Sequence, residues 1–128
     1  MNIHLDRKVL IYNEENFSRV CSALLEMYGF TTDVIDEHHD AEKKLSSANV
    51  GIFITSYPYG AFMLEEVRKR KIPSIILFDN IDECYGKKLH MDDNLYCMKT
   101  PLDYDKFKDL VWQLLSGNQV SRKALMIL

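Results

Sequence analysis

The feature that most constrains the fold is an alternation between short apolar runs and longer stretches of helical spacing. The runs are residues 9–12, 32–35, 50–54, 74–78 and 95–98, of which 32–35 is marked by its β-branched residues and the others are mainly apolar. Runs of this length, bounded by polar or turn-forming residues, are typical of strands buried in a sheet. The stretches between them repeat apolar residues every three or four positions, as one face of a helix does. The alternation predicts about five strands and about five helices, hence an α/β domain with a parallel sheet and right-handed crossovers.

The first and last helices have the clearest apolar stripes. The stripe of the first ends at Gly29, a plausible C-cap, and that of the last begins after Asp103, a plausible N-cap, and stops before Gly117. The first stripe consists of Phe17, Val20, Cys21, Leu24 and Tyr28, and the last consists of Phe107, Leu110, Val111, Leu114 and Leu115.

The remaining helices are shorter or less regular. Helical spacing predicts one helix over 41–48 and another over about 61–70. The acidic segment 79–93 is poorly periodic and predicts a short helix with long flanking loops. Residues 118–128 predict a frayed tail or a helical extension, so the domain itself is expected to span 1–117.

Composition bounds the class of protein. A chain of 128 residues, 47% of them hydrophobic, has room for one domain with one core. Its net charge is −3 and its Lys and Arg are scattered, which argues against nucleic acid as a direct partner. No apolar run approaches the roughly 18 to 20 residues of a membrane span, and residues 1–8 do not resemble a signal peptide. We therefore expect a cytoplasmic protein that does not bind membranes.

The cysteines and histidines offer little chemistry. Cys21, Cys84 and Cys97 are odd in number and widely spaced, so we expect reduced thiols, with Cys21 on a buried helix face and Cys97 within a strand. The pairs His38–His39 and Cys84–His90 match no zinc spacing. Clustered glycines that cradle phosphates and nucleophile-elbow motifs are also absent from the sequence. We expect no metal, no cofactor and no enzymatic activity.

Several short motifs, taken in order, resemble a known family. They are Lys8-Val9-Leu10-Ile11, Leu24-Leu25 followed by Gly29-Phe30, Pro73 before the fourth strand, and Lys99-Thr100-Pro101-Leu102-Asp103. Together they resemble the receiver domain of bacterial two-component response regulators, over nearly all of the chain up to about Ser116. The resemblance implies a three-layer, doubly wound, flavodoxin-like fold with a five-stranded parallel sheet in the order 2-1-3-4-5 and helices on both faces.

The resemblance also implies a phosphoaspartate switch at the strand tips, from which this chain departs. The acid pair that binds Mg²⁺ in the family falls at Tyr12 and Asn13, or at Asn13 and Glu14 if the alignment slips by one residue. The phosphoacceptor falls at Thr55, and the Ser/Thr switch falls at Phe78, with Asp79 next. The family's Lys-Pro pair is interrupted, because Thr100 separates Lys99 from Pro101.

These departures predict an atypical receiver, or pseudo-receiver, that works by protein contact. One alternative is a phosphorylatable domain that uses the hydroxyl of Thr55 or Ser56. Another is a small-ligand sensor with Tyr12 and Phe78 as apolar walls of a strand-tip pocket. Glu14, Asp79 and Glu15 could gather a cation near Lys99, but a solvated acidic rim is the preferred interpretation.

The expected partner is another signalling protein, either a histidine kinase or an output protein, or a second copy of the chain. The resemblance implies contact through the face formed by helix four, strand five and helix five. Aromatic residues after strand three could equally form an interface or pack on the core edge. The candidate interface residues are Tyr57, Tyr59, Tyr85, His90, Tyr96, Tyr104 and Lys108.

Overall fold

A computed structural model describes residues 7–46, 49–57, 59–79 and 94–117 of the chain. They form a five-stranded parallel sheet in the order β2-β1-β3-β4-β5, flanked by helices. The predicted flavodoxin-like architecture and strand order are therefore confirmed. The helix predicted within 79–93 and the segment 118–128 fall outside the described residues, apart from Asp79.

The strands and helices follow one another as the alternation predicts. The strands are β1 (Lys8–Tyr12), β2 (Thr32–Val34), β3 (Val50–Ser56), β4 (Ser74–Phe78) and β5 (Leu95–Lys99). The helices are α1 (Glu15–Met27), α2 (Ala41–Leu45), α3 (Leu64–Lys69) and α4 (Tyr104–Leu115), the last of which is the fifth helix of the predicted order. Single 3₁₀ turns precede α2 at His38–Asp40 and α3 at Ala61–Met63.

Alternate residues of β1 feed two separate cores. Val9 and Ile11 of β1 join the core beneath α1 and α4, whereas Leu10 and Tyr12 join the core beneath α2 and α3. This division follows from the two-residue period of a strand. Burial of each large apolar side chain contributes about 1.5–3 kcal/mol, so the two cores fix the sheet between its helical layers.

Capping residues set the limits of the two long helices. The Glu14 side chain accepts a hydrogen bond from the Phe17 N–H at the start of α1, and the Asp103 side chain accepts one from the Lys106 N–H at the start of α4. Gly29 follows α1 with φ +92°, the left-handed conformation that ends many helices. The predicted caps Gly29 and Asp103 are thus confirmed.

The apolar stripe of α1 is wider than its buried face. Cys21 is fully buried, as predicted, but Val20 is 55% exposed and Tyr28 is 46% exposed. The packed neighbours cover only the arc centred on Ser18, Cys21 and Leu25. The prediction that Val20 and Tyr28 belong to the buried stripe was therefore wrong, because spacing identifies an apolar side of a helix but not how much of it is covered.

Cysteine chemistry departs from expectation at one position. Cys21 is a free, buried thiol. Cys97 is buried within β5 and is disulfide-bonded, with its partner outside the described residues. The prediction of a reduced thiol at Cys97 was wrong, because apolar surroundings along a strand carry no information about a cysteine brought close by the fold.

No helix within the described ranges is long and apolar enough to cross a membrane.

Candidate functional site at the strand tips

The carboxyl ends of the central strands meet at one edge of the sheet. Tyr12 pairs in register with Thr55, and Ser56 pairs with Leu77 on the next strand. Phe78 pairs with Lys99 at the tips of β4 and β5. In a doubly wound sheet this edge is where ligands and reacting groups gather. The strand-tip residues that the sequence singles out are therefore assembled along one edge.

A neutral hydrogen-bonded pair joins the tips of β1 and β3. Asn13 Nδ2 donates to Ser56 Oγ at 2.5 Å, and Asn13 Oδ1 accepts from the Glu14 N–H at 2.8 Å. The Ser18 hydroxyl donates to the Asn13 carbonyl at 3.1 Å. Asn13 is only 6% exposed, so its side chain is held firmly against Ser56. The pair presents amide and hydroxyl groups and no carboxylate.

Thr55 is enclosed, although it is adjacent to Ser56. It is fully buried, and its hydroxyl has no hydrogen-bond partner. Gly60 covers it so closely that a Cβ at this glycine would overlap the hydroxyl and approach Tyr12 Cδ2 to 3.1 Å. Successive residues of a strand point to opposite faces, which is why the two neighbouring hydroxyls differ. Of the two, Ser56 is the one that lies beside Asn13 and is partly exposed.

Tyr12 belongs to an aromatic cluster at the β1 tip. Its ring packs edge-to-face on Tyr59 and Phe62, with centroids 5.1 and 5.9 Å away. Tyr12 is 5% exposed. Burial raises the pKa of the Tyr12 hydroxyl, and the neighbouring Tyr59 raises it further. The cluster closes the side of the tip that faces α2 and α3, while Tyr59 and Phe62 remain about half exposed.

The tips of β4 and β5 are linked through Thr100. Its hydroxyl donates to Asp79 Oδ1 at 2.5 Å, and its N–H donates to the Phe78 carbonyl at 2.9 Å. Phe78 is 3% exposed and packs with Ile76, Leu95 and Cys97. Lys99 is exposed, and the peptide bond between Thr100 and Pro101 is cis. Thr100, and not Lys99, therefore makes the polar contact between the tips of β4 and β5.

The acidic residues near the tips are engaged locally. Glu14 caps α1, and Glu15 pairs with Arg19 one helical turn further along. Asp79 accepts from Thr100. Within the described ranges, no group of three or more His, Cys, Asp or Glu side chains is placed to hold a metal ion. The alternative in which Glu14, Glu15 and Asp79 gather a cation near Lys99 is not seen among these residues.

A groove of about 660 Å³ extends from the β1 tip along the outer flank of α1 beside β2. Asn13 and Tyr59 line its end at the strand tips, and Glu15, Arg19, Ser22 and Glu26 are among the residues along its length. Neither Tyr12 nor Phe78 lines it. These two residues belong to different core clusters.

The candidate interface residues that the structure describes do not share one surface. Tyr85 and His90 lie outside the described residues. Tyr96 is 7% exposed and belongs to the core under α1 and α4, so it contributes little to the surface. Tyr57 is partly buried, and Tyr59 is exposed at the β1 tip. Tyr104 and Lys108 lie on α4, and Lys108 contacts Tyr28, the residue that follows α1.

Two residues important for this geometry, Ser56 and Gly60, were not among the predicted pocket residues. The strand period shows that Thr55 and Ser56 must face opposite ways, but which of them faces Asn13 depends on how β3 is aligned with β1. Nothing in the sequence identifies Gly60 as a cover for Thr55, since that contact depends on the path of the turn after β3.

Comparison with solved structures shows which fold this is. A response regulator receiver domain from Clostridium thermocellum matches with a TM-score of 0.73 at 16% identity, covering 87% of this chain and 95% of that one. A receiver domain from a Francisella response regulator matches with a TM-score of 0.70 at 21% identity, covering 87% and 98%. A receiver protein from Pseudomonas putida matches with a TM-score of 0.68 at 20% identity, covering 82% and 94%.

No model of a protein family and no curated protein matches the sequence. The chain therefore has the fold of response regulator receiver domains at low sequence identity.

Proposed function

We propose that this chain is a receiver-like signalling domain that is not phosphorylated on aspartate and that acts by binding another protein. The observation that carries the proposal is the hydrogen bond between Asn13 and Ser56. It occupies the junction of β1 and β3, where the receiver reaction places its Mg²⁺-binding acids and its phosphoacceptor. An amide and a hydroxyl stand there in this chain.

The chemistry of these groups supports the proposal. Mg²⁺ is held in proteins mainly through carboxylates, and the side chains of Asn13 and Ser56 carry no charge. A hydroxyl cannot form an acyl phosphate, and the Asn13 amide has its oxygen and one N–H already engaged. Phe78, at the place of the family's hydroxyl switch, is buried and apolar. The residues that would accept, hold and sense an acyl phosphate are thus of the wrong chemical type.

The test is exposure to a small phosphodonor. Incubation with acetyl phosphate and Mg²⁺, followed by intact mass spectrometry under conditions that preserve acyl phosphate, should give an unchanged mass. A phosphorylatable receiver domain treated in parallel serves as the positive control. A mass increase of one phosphoryl group that disappears with hydroxylamine would contradict the proposal, because hydroxylamine cleaves acyl phosphates.

A second candidate function is phosphorylation of a hydroxyl by a protein kinase. The observation that favours it is the partial exposure of Ser56, in contrast to the enclosure of Thr55. Protein purified from its own host should then carry an acid-stable phosphate on the peptide with Ser56, and Ser56→Ala should lack it. An unmodified peptide with Ser56 would remove this candidate.

The partner follows from the same reasoning. A domain without its own phosphoryl chemistry signals through its surface, so the partner is a histidine kinase, an output protein or a second copy of the chain. The exposed aromatic residues bear on this question, because Tyr, Phe and Trp are enriched in protein interfaces.

A further inference from the structure

Exposed large apolar side chains are concentrated on one side of the domain. Five of the seven within the described residues lie on α1, just after it or on α4, and the other two, Tyr59 and Phe62, lie at the β1 tip. We call the first group the α1–α4 face. Its members are Val20, Met27, Tyr28, Tyr104 and Trp112, exposed by 55, 80, 46, 43 and 42%.

Contacts between α4 and the residues that follow α1 join the two parts of this surface. The Lys108 ammonium lies 4.7 Å from the centroid of the Tyr28 ring, and the rings of Phe30 and Trp112 meet edge-to-face at 6.3 Å. Tyr104, Lys108 and Trp112 are spaced by four residues and therefore form one stripe along α4. The side of α4 that faces α1 is thus mainly aromatic.

Helical geometry places the α1 residues on the same side. The opposite flank of α1, which carries Arg19, Ser22 and Glu26, lines the groove beside β2. Leu24 packs against the core shared with α4. Val20 and Met27 are one turn before and after Leu24, so they continue the apolar surface towards α4.

An exposed apolar surface of this kind on a small domain marks a contact site. We propose that the α1–α4 face is an interface between two copies of this chain. This inference goes beyond the proposed function, because self-association through this face does not depend on the chemistry at the strand tips.

Shape and charge favour a second copy as the occupant. Two helices side by side can pack on the same two helices of a partner related by a twofold axis, which gives a four-helix contact. The face carries both signs of charge on α4, with Lys108 3.7 Å from Asp109 and with Asp105 exposed nearby. A surface that carries both signs of charge can pair with a copy of itself across a twofold axis, as a self-complementary interface requires. A strongly acidic or strongly basic partner would not meet a surface of purely opposite charge here.

The experiment measures mass and the environment of Trp112 across a dilution series of the full chain. Trp112 is the one tryptophan in the sequence, so its emission reports this face alone. At high concentration, sedimentation should give twice the monomer mass of 15.0 kDa, with blue-shifted Trp112 emission. On dilution, both should return together to monomer values.

Charge substitutions locate the interface. Met27→Glu replaces a side chain that is 80% exposed, so folding should be unaffected. The dissociation constant of the dimer should rise at least about tenfold, which corresponds to about 1.4 kcal/mol. Phe62→Glu is the matched control, since it introduces the same charge at a residue that is 55% exposed on another part of the surface. It should leave the dimer intact.

Three results would overturn the inference. The first is a monomer at every concentration, and the second is a dimer that Phe62→Glu weakens and Met27→Glu does not. The third is Trp112 emission that is independent of concentration but shifts when Leu125 and Ile127 are replaced by serine. That result would assign the face to the chain's own 118–128 segment.

Discussion

At the scale of single residues, the two hydroxyls at the end of β3 have opposite energetic roles. Thr55 buries a hydroxyl without a partner, which costs stability, whereas Ser56 shares a hydrogen bond with Asn13. Thr55→Val keeps the shape and removes the hydroxyl, so it should raise the free energy of unfolding by about 1 kcal/mol.

Urea unfolding followed by circular dichroism measures this change. The matched control is Ser56→Ala, which removes the partner of Asn13 and should lower the free energy of unfolding by about 1 kcal/mol. Equal losses in both variants would show that the Thr55 hydroxyl is satisfied in solution, contrary to the structure.

A glycine is required at position 60 because neighbouring atoms lie too close for a Cβ, and not because the backbone conformation there is strained. Its φ is −110°, which any residue can adopt, but a Cβ would overlap the Thr55 hydroxyl. Gly60→Ala should therefore cost about 2 kcal/mol of stability. The double variant Thr55→Ala/Gly60→Ala should lose less than the sum of the single losses, because it makes room for the added methyl group. Strictly additive losses in the same urea assay would disprove this contact.

Cys21 should be inert in the folded protein. Burial raises the pKa of its thiol to about 12, against 9.0 without burial, so its reactive thiolate is suppressed. Iodoacetamide at pH 8 should leave the peptide with Cys21 unmodified in native protein and should alkylate it in urea. Alkylation at equal rates in both would contradict the burial.

The raised pKa of the Cys21 thiol also determines how folding stability changes with pH at this site. Below pH 9 the thiol is neutral in both folded and unfolded chains, and this site has no pH dependence. Between pH 9 and about 12 only the unfolded chain loses the proton, so Cys21 lowers the stability as pH rises. Cys21→Ala should make this alkaline decline shallower.

At the scale of elements, the turn from α3 into β4 contains a residue in an unfavourable conformation. Lys71 has φ +59°, in the left-handed region that costs a residue with a Cβ about 1 kcal/mol or more. It is held there because the Lys71 N–H bonds to the Arg68 carbonyl, and the next N–H, of Ile72, bonds back to the Val67 carbonyl. These bonds close α3 and start the approach to β4.

Lys71→Gly should relieve this cost and raise the free energy of unfolding by about 1 kcal/mol. Lys69→Gly, two residues earlier and inside α3, is the control and should lower it by about 1 kcal/mol. A loss of stability in both variants would mean that Lys71 does not hold the left-handed conformation in solution.

Element prediction succeeded where local signals dominate. All five strands lie within two residues of their predicted limits, since four are compact apolar runs between polar residues and β2 is marked by β-branched residues. The exposed Val20 and the 3₁₀ turn at the start of the third predicted helix were missed. Both depend on which neighbours cover a helix, and this is a property of the assembled fold.

At the scale of the whole molecule, the topology was predictable and the site only in part. Alternating strands and helices predict a parallel sheet, and the resemblance to receiver domains supplied the strand order that the structure confirms. The strand-tip residues were also placed at one edge. Their mutual contacts could not be predicted, because the choice of Ser56 over Thr55 beside Asn13 depends on side-chain direction, and the role of Thr100 depends on the loop after β5.

The central claim is that the strand tips do not support receiver chemistry. The most direct measurement is a titration of isotope-labelled protein with beryllofluoride in the presence of Mg²⁺, followed by amide NMR. Beryllofluoride imitates a phosphoryl group on aspartate. We expect no saturable shift at the amides of Asn13, Ser56 or Thr100, and saturable shifts at these residues that require Mg²⁺ would show that the tips do support receiver chemistry.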